Sequence, residues 1–361
     1  MTRLNKYIVV AASLCAASLA ASSTKAEKTI KIGVSMSKRV LISFFSLVVL
    51  LTTSFFAQAQ FKKTKIGFLP GVVDPFYQVM EIGVKEAVAD FGLEVVTQYP
   101  QTWGPTIQTP ILDAMVGRGD LQYLIIAPTD KEQMIAPLQR AIDAGIKVIT
   151  VDTFLGDGDY VNGKVTFPIS YIGSDNIEGG KIAARALAKV VGNKGKVYIQ
   201  NTNVGASTTE QRGKGFKEGI AEFKDMQLVG EDYNLDDAGT AAQQTSAKLQ
   251  ANPDLVGIFG VNVFSAQGAG NAVQSASLGG KVQVIAFDAT KDAIENLRKG
   301  VVSLVIAQKP HDMGYLAVAF AMADARGVTS LPRHVTTGYA VIDAKNVDDP
   351  SVARFIYQVG K

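Results

Sequence analysis

The sequence predicts an α/β protein made of two doubly wound, Rossmann-like lobes joined by a crossover hinge. From residue 65 onward, short β-branched runs alternate with longer stretches of helical periodicity. The short runs are continuously apolar, which is typical of parallel strands that helices bury on both faces. After a polar, glycine-containing stretch at 156–164, the alternation starts again. Two successive series of this kind predict two lobes with right-handed crossovers.

The first series contains four strands and three helices. Its first helix has the clearest boundaries, because Val84, Val88 and Phe91 recur close to helical spacing and Gly92 ends the pattern. The remaining elements follow from the same alternation of apolar runs and amphipathic stretches. The predicted strands are 65–69, 93–98, 123–128 and 146–152, and the predicted helices are 75–91, 106–116 and 131–143.

The second series repeats the same alternation, and the two series are of similar length. Its strands are again short β-branched runs, and polar or glycine residues separate them from amphipathic stretches. The predicted strands are 170–175, 196–200, 227–232, 255–260, 282–288, 302–308 and 339–343. The predicted helices are 176–191, 207–223, 238–250, 264–276, 290–298 and 311–325.

The first 59 residues are typical of export signals rather than of a globular fold. Residues 1–26 combine early positive charge, an apolar run and a small-residue end, as secretory signals do. Residues 38–59 repeat that pattern and end in Ala-Gln-Ala, a signal-cleavage sequence. Their apolar run is also long enough for a membrane anchor, which is the alternative interpretation. Residues 27–37 between them form a partial duplicate of the first strand and its lead-in, as a fusion or a misplaced start would produce.

Composition excludes several classes of function. The 361 residues include 36 Lys and Arg against 33 Asp and Glu, but the basic excess lies in residues 1–60. The remainder is slightly acidic, so no nucleic-acid partner is expected. The single Cys, Cys15, lies in the first apolar run, and there are two His residues. This composition excludes a disulfide scaffold and a Cys-based metal centre, and no metal or other cofactor is expected. The chain contains no G-x-S-x-G and no Walker A motif.

Polar side chains close several predicted strands. In open parallel sheets, ligands bind beyond the carboxyl ends of the strands. Each of these side chains could simply cap the next helix or turn. Four of them, distributed over both series, favour a site in one cleft. They are Asp152, Asn262, Asp288 and Gln308.

The chain from residue 65 to its C-terminus resembles a periplasmic sugar-binding protein of the ribose-binding type. The similarity runs in order through the stretches 74–87, 125–130, 145–153, 171–184, 210–220, 257–262, 284–290 and 305–317. The resemblance implies a type I periplasmic binding protein fold. It places residues 61–168 and 309–338 in the N-terminal lobe and residues 169–308 and 339–361 in the C-terminal lobe. The crossovers are expected near 167–169, 308–309 and 338–339.

The resemblance also implies a function. The expected protein is the monomeric, periplasmic receptor of an ATP-driven sugar importer. It binds a monosaccharide or sugar alcohol between its lobes, closes by a hinge motion and delivers the sugar to the permease. A chemoreceptor is a second candidate partner. Two alternatives stay open: the ligand domain of a sugar-sensing regulatory or signalling system, and a carbohydrate-active enzyme that uses Asp152 and Asp288 as its acid and base.

The family's ligand-binding residues map onto seven positions of this chain. Carboxylates accept protons from sugar hydroxyls, a guanidinium donates a fork, and planar amides do both. Aromatic rings cover the apolar C–H face of a sugar and exclude water. The seven residues are Phe76, Tyr77, Asp152, Arg212, Asn262, Asp288 and Gln308.

Five further residues are candidates because the chain departs from the family's pattern. Asp74 stands where the family often has Asn. Asp236 falls near the position of a second-lobe aromatic residue in ribose receptors. Trp103, Phe154 or Phe264 could supply that missing aromatic face. These departures leave the sugar open among pentoses, hexoses and sugar alcohols.

Overall fold

The computed structural model describes residues 64–359. The segments 1–26, 27–37 and 38–59, which the sequence interprets as two signals and a partial duplicate, lie outside the described residues. Within residues 64–359, no helix is long and apolar enough to cross a membrane.

Twelve strands and ten helices alternate along the described chain. The strands are β1 Lys65–Leu69, β2 Glu94–Thr97, β3 Tyr123–Ile126, β4 Lys147–Val151, β5 Tyr171–Gly173, β6 Lys194–Asn201, β7 Asp225–Tyr233, β8 Leu255–Gly260, β9 Gln283–Phe287, β10 Val302–Ala307, β11 His334–Thr336 and β12 Ala340–Ile342. The helices are α1 Pro75–Phe91, α2 Pro105–Gly117, α3 Ile135–Asp143, α4 Asn176–Val191, α5 Ser207–Ile220, α6 Ala238–Ala251, α7 Val263–Ser275, α8 Lys291–Arg298, α9 Pro310–Ala325 and α10 Pro350–Ala353.

The strands form two six-stranded sheets, one in each lobe. The first has the order β11-β5-β4-β3-β1-β2 and is parallel throughout. The second has the order β12-β10-β9-β8-β6-β7, in which only β12 runs antiparallel. The central strands are buried because helices cover both faces of each sheet. The predicted two-lobed, doubly wound α/β fold is confirmed.

Helix α1 shows how the sequence determines an element that reaches the cleft. The Asp74 side chain caps the helix by accepting the Tyr77 amide N–H at 2.7 Å, and Pro75 occupies the first turn. The helix ends at Gly92, whose φ of 66° is left-handed. The cap therefore fixes the start of α1, and with it Phe76 and Tyr77, beside the strand ends.

The first crossover differs from the sequence-based expectation. The sequence assigns residues from 169 onward to the C-terminal lobe, but β5 pairs with β4 and β11 in the first sheet. The chain therefore leaves the first sheet after Gly173, not near 167–169. A short apolar run looks the same whichever sheet it joins, and its partner β11 carries no strong strand signal. Neither β11 nor α10 was predicted from the sequence.

The second crossover follows β10 and leads into α9, which packs on α1 of the first lobe. The two helices approach closely at Gly83 and Gly314. A Cβ on Gly83 would lie 2.1 Å from the His311 carbonyl oxygen, and one on Gly314 would lie 2.2 Å from the Met80 carbonyl oxygen. The lack of a side chain at both glycines therefore allows the helix that follows the hinge to seat on the first lobe.

Hydrogen bonds join the three crossover segments to one another. Ser174 Oγ donates to Gln308 Oε1 at 2.8 Å, the Thr337 N–H donates to the Gly173 carbonyl at 2.9 Å, and Tyr339 Oη donates to the Asp175 carbonyl at 2.8 Å. The hinge is thus one connected structure, and Gln308 belongs both to it and to the cleft.

Candidate ligand-binding site

A cavity lies between the two lobes, and its empty space, including the part open to solvent, is about 400 Å³. Both sheets direct the carboxyl ends of their strands towards it. The lining residues are Val72, Asp74, Phe76, Tyr77, Trp103, Asp152, Thr202, Ala206, Thr208, Thr209, Arg212, Asp236, Asn262, Asp288 and Gln308.

Asp152 and Asp288 occupy matching places in the two lobes. Each directly follows a strand, β4 or β9, and each has a left-handed backbone, with φ of 59° and 74°. Non-glycine residues seldom adopt this conformation, and where they do the strain is often associated with function. Tyr77 Oη donates to Asp152 Oδ2 at 2.8 Å, and Tyr357 Oη donates to Asp288 Oδ1 at 2.9 Å. Both carboxylates are thereby oriented at the cavity wall.

Arg212 is the cationic side chain among the cavity-lining residues, and it is almost completely buried. Its Nε donates to Asn176 Oδ1 at 2.9 Å and its Nη1 to the Val261 carbonyl at 3.0 Å, while the guanidinium lies 4.0 Å above the Phe287 ring centroid. Its Nη2 has no hydrogen-bond partner among the described residues. Leaving a buried charged donor unpaired is costly, so Nη2 is available for a ligand oxygen.

The two lining amides combine structural and site roles. Asn262 caps α7 through its Oδ1, as the alternative interpretation from sequence proposed, and its Nδ2 donates to Asp236 Oδ1 at 2.6 Å. Gln308 accepts from Ser174 and donates through Nε2 to Asp288 Oδ1 at 2.8 Å. Each amide therefore holds a carboxylate in place at the cavity.

Aromatic rings form the first-lobe side of the cavity. Phe76 and Tyr77 meet edge to face at 5.1 Å between ring centroids. Trp103 packs against Gly71, where a Cβ would lie 2.3 Å from the indole ring. The buried Nε1 of Trp103 has no hydrogen-bond partner among residues 64–359. The cavity therefore offers apolar ring surface together with an unused indole donor.

Burial raises the pKa of all four cavity carboxyls. It raises the pKa of Asp152 to about 6, although Arg212 and the Tyr77 hydroxyl oppose this rise, and the pKa of Asp236 to about 6, against the Asn262 amide. The pKa of Asp74 lies well above its usual range, and that of Asp288 is raised despite the nearby Arg212 charge. Arg212 makes no ion pair within 4 Å to any of them in the described chain, so it acts on these groups through space.

All seven residues expected from the resemblance line this one cavity: Phe76, Tyr77, Asp152, Arg212, Asn262, Asp288 and Gln308. Of the five further candidates, Asp74, Trp103 and Asp236 also line it.

Phe154 and Phe264 do not line the cavity. Phe154 is buried in the first lobe, with its ring edge-on to Tyr171 at 5.5 Å between centroids. Phe264 lines a separate cavity beside α7 and α8. Both lie near strand ends in the sequence, but the direction of each side chain depends on local backbone that the sequence pattern does not specify.

Sequence reasoning did not identify five lining residues. They are Val72, Thr202, Ala206, Thr208 and Thr209. Thr202 directly follows β6, so the rule that identified the polar strand ends could have found it. Thr208 and Thr209 lie in the first turn of α5, where a helix start predicts capping as readily as binding.

The lobes also touch across the rim of the cavity. The Lys131 ammonium of the first lobe pairs with the Glu210 carboxylate of α5, and the Lys131 N–H donates to the Gly205 carbonyl at 3.0 Å. The Phe154 N–H donates to Ser207 Oγ at 3.0 Å. These contacts hold the two lobes together in the conformation described.

Comparison with known proteins assigns the family. The family model of the periplasmic binding protein domain matches residues 66–328. The ribose import binding protein of Salmonella typhimurium is 30% identical over 287 residues, which cover 79% of this chain and 92% of that protein. The fructose import binding protein of Bifidobacterium longum is 28% identical and covers 69% of this chain and 75% of its own length.

A solved structure gives a closer likeness in sequence. An ABC transporter solute-binding protein from Agrobacterium vitis, bound with α-D-tagatopyranose, is 44% identical with a TM-score of 0.80. It covers 82% of this chain and 100% of its own length. These relatives are binding proteins, which agrees with the sequence-based prediction that the chain is not an enzyme. The chain belongs to the periplasmic binding protein family, and within it to the ribose-binding type.

Proposed function

We propose that this protein is the sugar receptor of an ATP-driven importer and that it binds one monosaccharide or sugar alcohol in the cavity between its lobes. The observation that carries the proposal is the arrangement of polar groups around the cavity. Carboxylates reach it from both lobes, and the Arg212 Nη2 that lines the same cavity has no hydrogen-bond partner among residues 64–359. A ring of hydroxyl groups can satisfy all of these groups together, because each hydroxyl both donates and accepts.

The seven positions that the resemblance identified supply the proposed contacts. The free oxygen of Asp152 accepts a sugar hydroxyl, Arg212 Nη2 donates to a ring or hydroxyl oxygen, and Asp288 accepts from the opposite side. Phe76 and Tyr77 cover the C–H face of the sugar. Asn262 and Gln308 orient carboxylates and complete the polar wall.

A hexose in its pyranose form is the preferred candidate ligand. The Agrobacterium vitis structure, at 44% identity, holds α-D-tagatopyranose, and a second structure from the same species, at 26% identity and a TM-score of 0.76, holds D-fucose. D-tagatose is therefore the first sugar to test. The ribose and fructose import proteins widen the panel to pentoses and other ketohexoses.

The proposed cycle follows from the hinge. The lobes open and close about the three crossover segments, and the contacts between Lys131, Glu210 and Gly205 form on closure. The closed receptor then presents both lobes to the permease of the importer. Export to the periplasm follows from the family and the signal-like leader. A chemoreceptor is a second partner for the same closed form.

Calorimetric titration of the purified protein with a sugar panel tests this function. The panel contains D-tagatose, D-fructose, D-ribose, D-allose, D-arabinose and D-fucose. We expect at least one sugar to bind with one site per chain and to be recovered unchanged. Absence of binding across the panel, or conversion of a sugar into product, would contradict the proposal.

A further inference from the structure

We propose that Asp74 and Asp236, one from each lobe, act together as hydrogen-bond acceptors that select the ligand by its charge. The protein would accept a neutral or ammonium-bearing sugar that donates to both carboxylates, and it would reject anionic sugars such as uronates. This inference rests on the proposed function and specifies its ligand class. It concerns two of the positions at which the chain departs from the pattern of the ribose receptors.

One carboxylate oxygen of Asp74 accepts a hydrogen bond from the described part of the protein, and the other does not. Its Oδ1 accepts the Tyr77 N–H at 2.7 Å as the cap of α1. Its Oδ2 accepts no hydrogen bond from residues 64–359, although the side chain is 92% buried and lines the cavity. An acceptor at the cavity wall that receives no hydrogen bond from the protein can receive one from a ligand.

Asp236 has the same arrangement on the second lobe. Its Oδ1 accepts from Asn262 Nδ2 at 2.6 Å, and its other oxygen has no donor within the described part of the chain. The loop that carries it is held firmly: the Asp236 N–H donates to Asn234 Oδ1 at 2.9 Å, and Leu235 N–H donates to the Thr202 carbonyl at 3.0 Å. Leu235 and Asp236 both have left-handed backbones, with φ of 58° and 61°. Such a conformation in two successive non-glycine residues fixes where the carboxylate points.

Neither carboxylate has a cationic partner. No ion pair within 4 Å involves Asp74 or Asp236 in the described chain, and Arg212 directs its two bonded nitrogens to Asn176 and Val261. The four cavity carboxyls therefore face one guanidinium, and they do not form a metal-binding cluster among residues 64–359. Burial and the mutual repulsion of the carboxyls raise the pKa of Asp74 and Asp236.

The two free carboxylate oxygens require a ligand group that donates a hydrogen bond and carries no negative charge. A hydroxyl or an ammonium group offers the proton that both free oxygens require. A carboxylate or phosphate of the ligand that met this pair would bring another negative charge against two acceptors, at short range and in a site of low dielectric. The pair therefore discriminates against anionic sugars while leaving neutral sugars bound.

Substitution by Asn at either position gives a specific test. The fixed donors, Tyr77 N–H and Asn262 Nδ2, keep the amide oxygen in the Oδ1 position, so the amide NH₂ replaces the free acceptor. Asp74→Asn and Asp236→Asn therefore reverse the polarity of one cavity atom with little change of shape. Asp237→Asn is the matched control, because Asp237 is the exposed cap of α6 and Asn caps equally well.

The measurement is the affinity of each variant for D-fucose and for D-galacturonate, which keeps the same pyranose ring and carries a carboxylate at C6, by calorimetry at pH 7.5. If D-fucose does not bind wild type, the aldose of the panel that does and the uronate with the same pyranose ring replace the two. For a ketose, the hex-2-ulosonate that is oxidised at C1 takes the place of the uronate. We expect Asp74→Asn and Asp236→Asn each to weaken binding of the neutral sugar at least tenfold. Each variant should also show a smaller ratio of the affinity for the neutral sugar to the affinity for the uronate than wild type does. The control should leave both affinities unchanged, and the melting temperatures should show that every variant is folded.

The experiment distinguishes a failure of the proposed function from a failure of this inference. Wild type that binds no sugar overturns the proposed function, and this inference with it. Wild type that binds a neutral sugar while both Asn variants stay within twofold of it, with the same preference over the uronate, overturns the inference alone. Equal binding of the uronate and the neutral sugar by wild type would also overturn it.

Discussion

The two strand-end aspartates, Asp152 in the first lobe and Asp288 in the second, are alike in backbone but differ in support. Within the described part of the chain, Asp152 receives a single side-chain donor, Tyr77, which itself lines the cavity. Asp288 receives two donors on one oxygen, Gln308 from the hinge and Tyr357 from the C-terminal segment. The second-lobe half of the site is therefore held by the scaffold. The first-lobe half depends on a residue that is proposed to contact the ligand.

The largest expected effect concerns Arg212, which lies between the two halves. Arg212→Ala removes the unpaired Nη2 and leaves Asp152 and Asp288 without their nearby positive charge. We expect a loss of sugar affinity of at least 100-fold, since a charged hydrogen bond contributes about 1.5–3 kcal/mol and the neighbouring carboxylates lose compensation. Lys214→Ala, on the exposed face of the same helix, is the control. Affinity within twofold of wild type, measured by calorimetry, would refute the site assignment.

The next effect is a dependence of binding on pH. Hydroxyl donors favour the ionised carboxylate, so sugar binding lowers the pKa of Asp152 and Asp236 from about 6. Affinity should be highest above pH 7 and should fall by roughly tenfold for each of these carboxyls between pH 7.5 and pH 5. Asp74, Asp288 and Arg212 face the same cavity, and the Asp74 carboxyl adds to the fall. A flat affinity profile across this range would contradict the proposed contacts.

The raised pKa values of Asp152 and Asp236 make the ligand-free protein less stable as the pH rises, whereas they make sugar binding tighter. The pKa of Asp152 and Asp236 in the folded state, about 6, exceeds the value of 3.8 for the unfolded state. Between these values the folded state binds more protons, so their contribution to stability falls as the pH rises from about 4 to above 6. Asp236→Asn should therefore raise the melting temperature at pH 7.5 and have less effect at pH 4.5. A lower melting temperature for this variant at pH 7.5 would show that the ionised Asp236 carboxylate does not destabilise the ligand-free protein.

Removing the tyrosine hydroxyls tests whether Asp152 and Asp288 differ in the support they receive. Tyr77→Phe removes the one side-chain donor that Asp152 has among residues 64–359, whereas Tyr357→Phe leaves Asp288 with Gln308. We expect sugar affinity to fall about tenfold for Tyr77→Phe and about twofold for Tyr357→Phe. Both variants keep their rings, so packing is preserved. Equal losses would show that the two aspartates are supported to the same degree.

The smallest expected effect lies at the rim. Lys131→Ala removes the ion pair with Glu210 that joins the lobes without touching the cavity. Because the pair is partly exposed, its removal should weaken affinity by about two- to threefold, and added salt should reduce the difference. Titrations at low and high salt measure it. A loss greater than tenfold would show that Lys131 has a more direct role in binding.

Local sequence signals predicted the alternation of elements and the four polar strand ends that line the cavity, whereas Phe76, Tyr77 and Arg212 were expected only from the family resemblance. Asp152 and Asp288 were identified because a polar residue at the end of a buried parallel strand faces the ligand edge. Asp74 and Asp236 stood out only as departures from a related pattern. Tyr357 was not predicted, because its contact with Asp288 joins residues 69 positions apart through the fold of the C-terminal segment. The sheet that β5 joins was missed for the same reason: pairing depends on β11, far along the chain.

The central claim is that a sugar occupies the cavity between the lobes, held from both sides. A crystal structure of the protein with the sugar that binds most tightly in the panel tests it most directly. The account predicts one sugar ring in the cavity, with Arg212 Nη2 within hydrogen-bond distance of a sugar oxygen and hydroxyls donating to Asp152 and Asp288. A sugar bound at any other surface, with the Asp152, Arg212 and Asp288 side chains uncontacted, would contradict it.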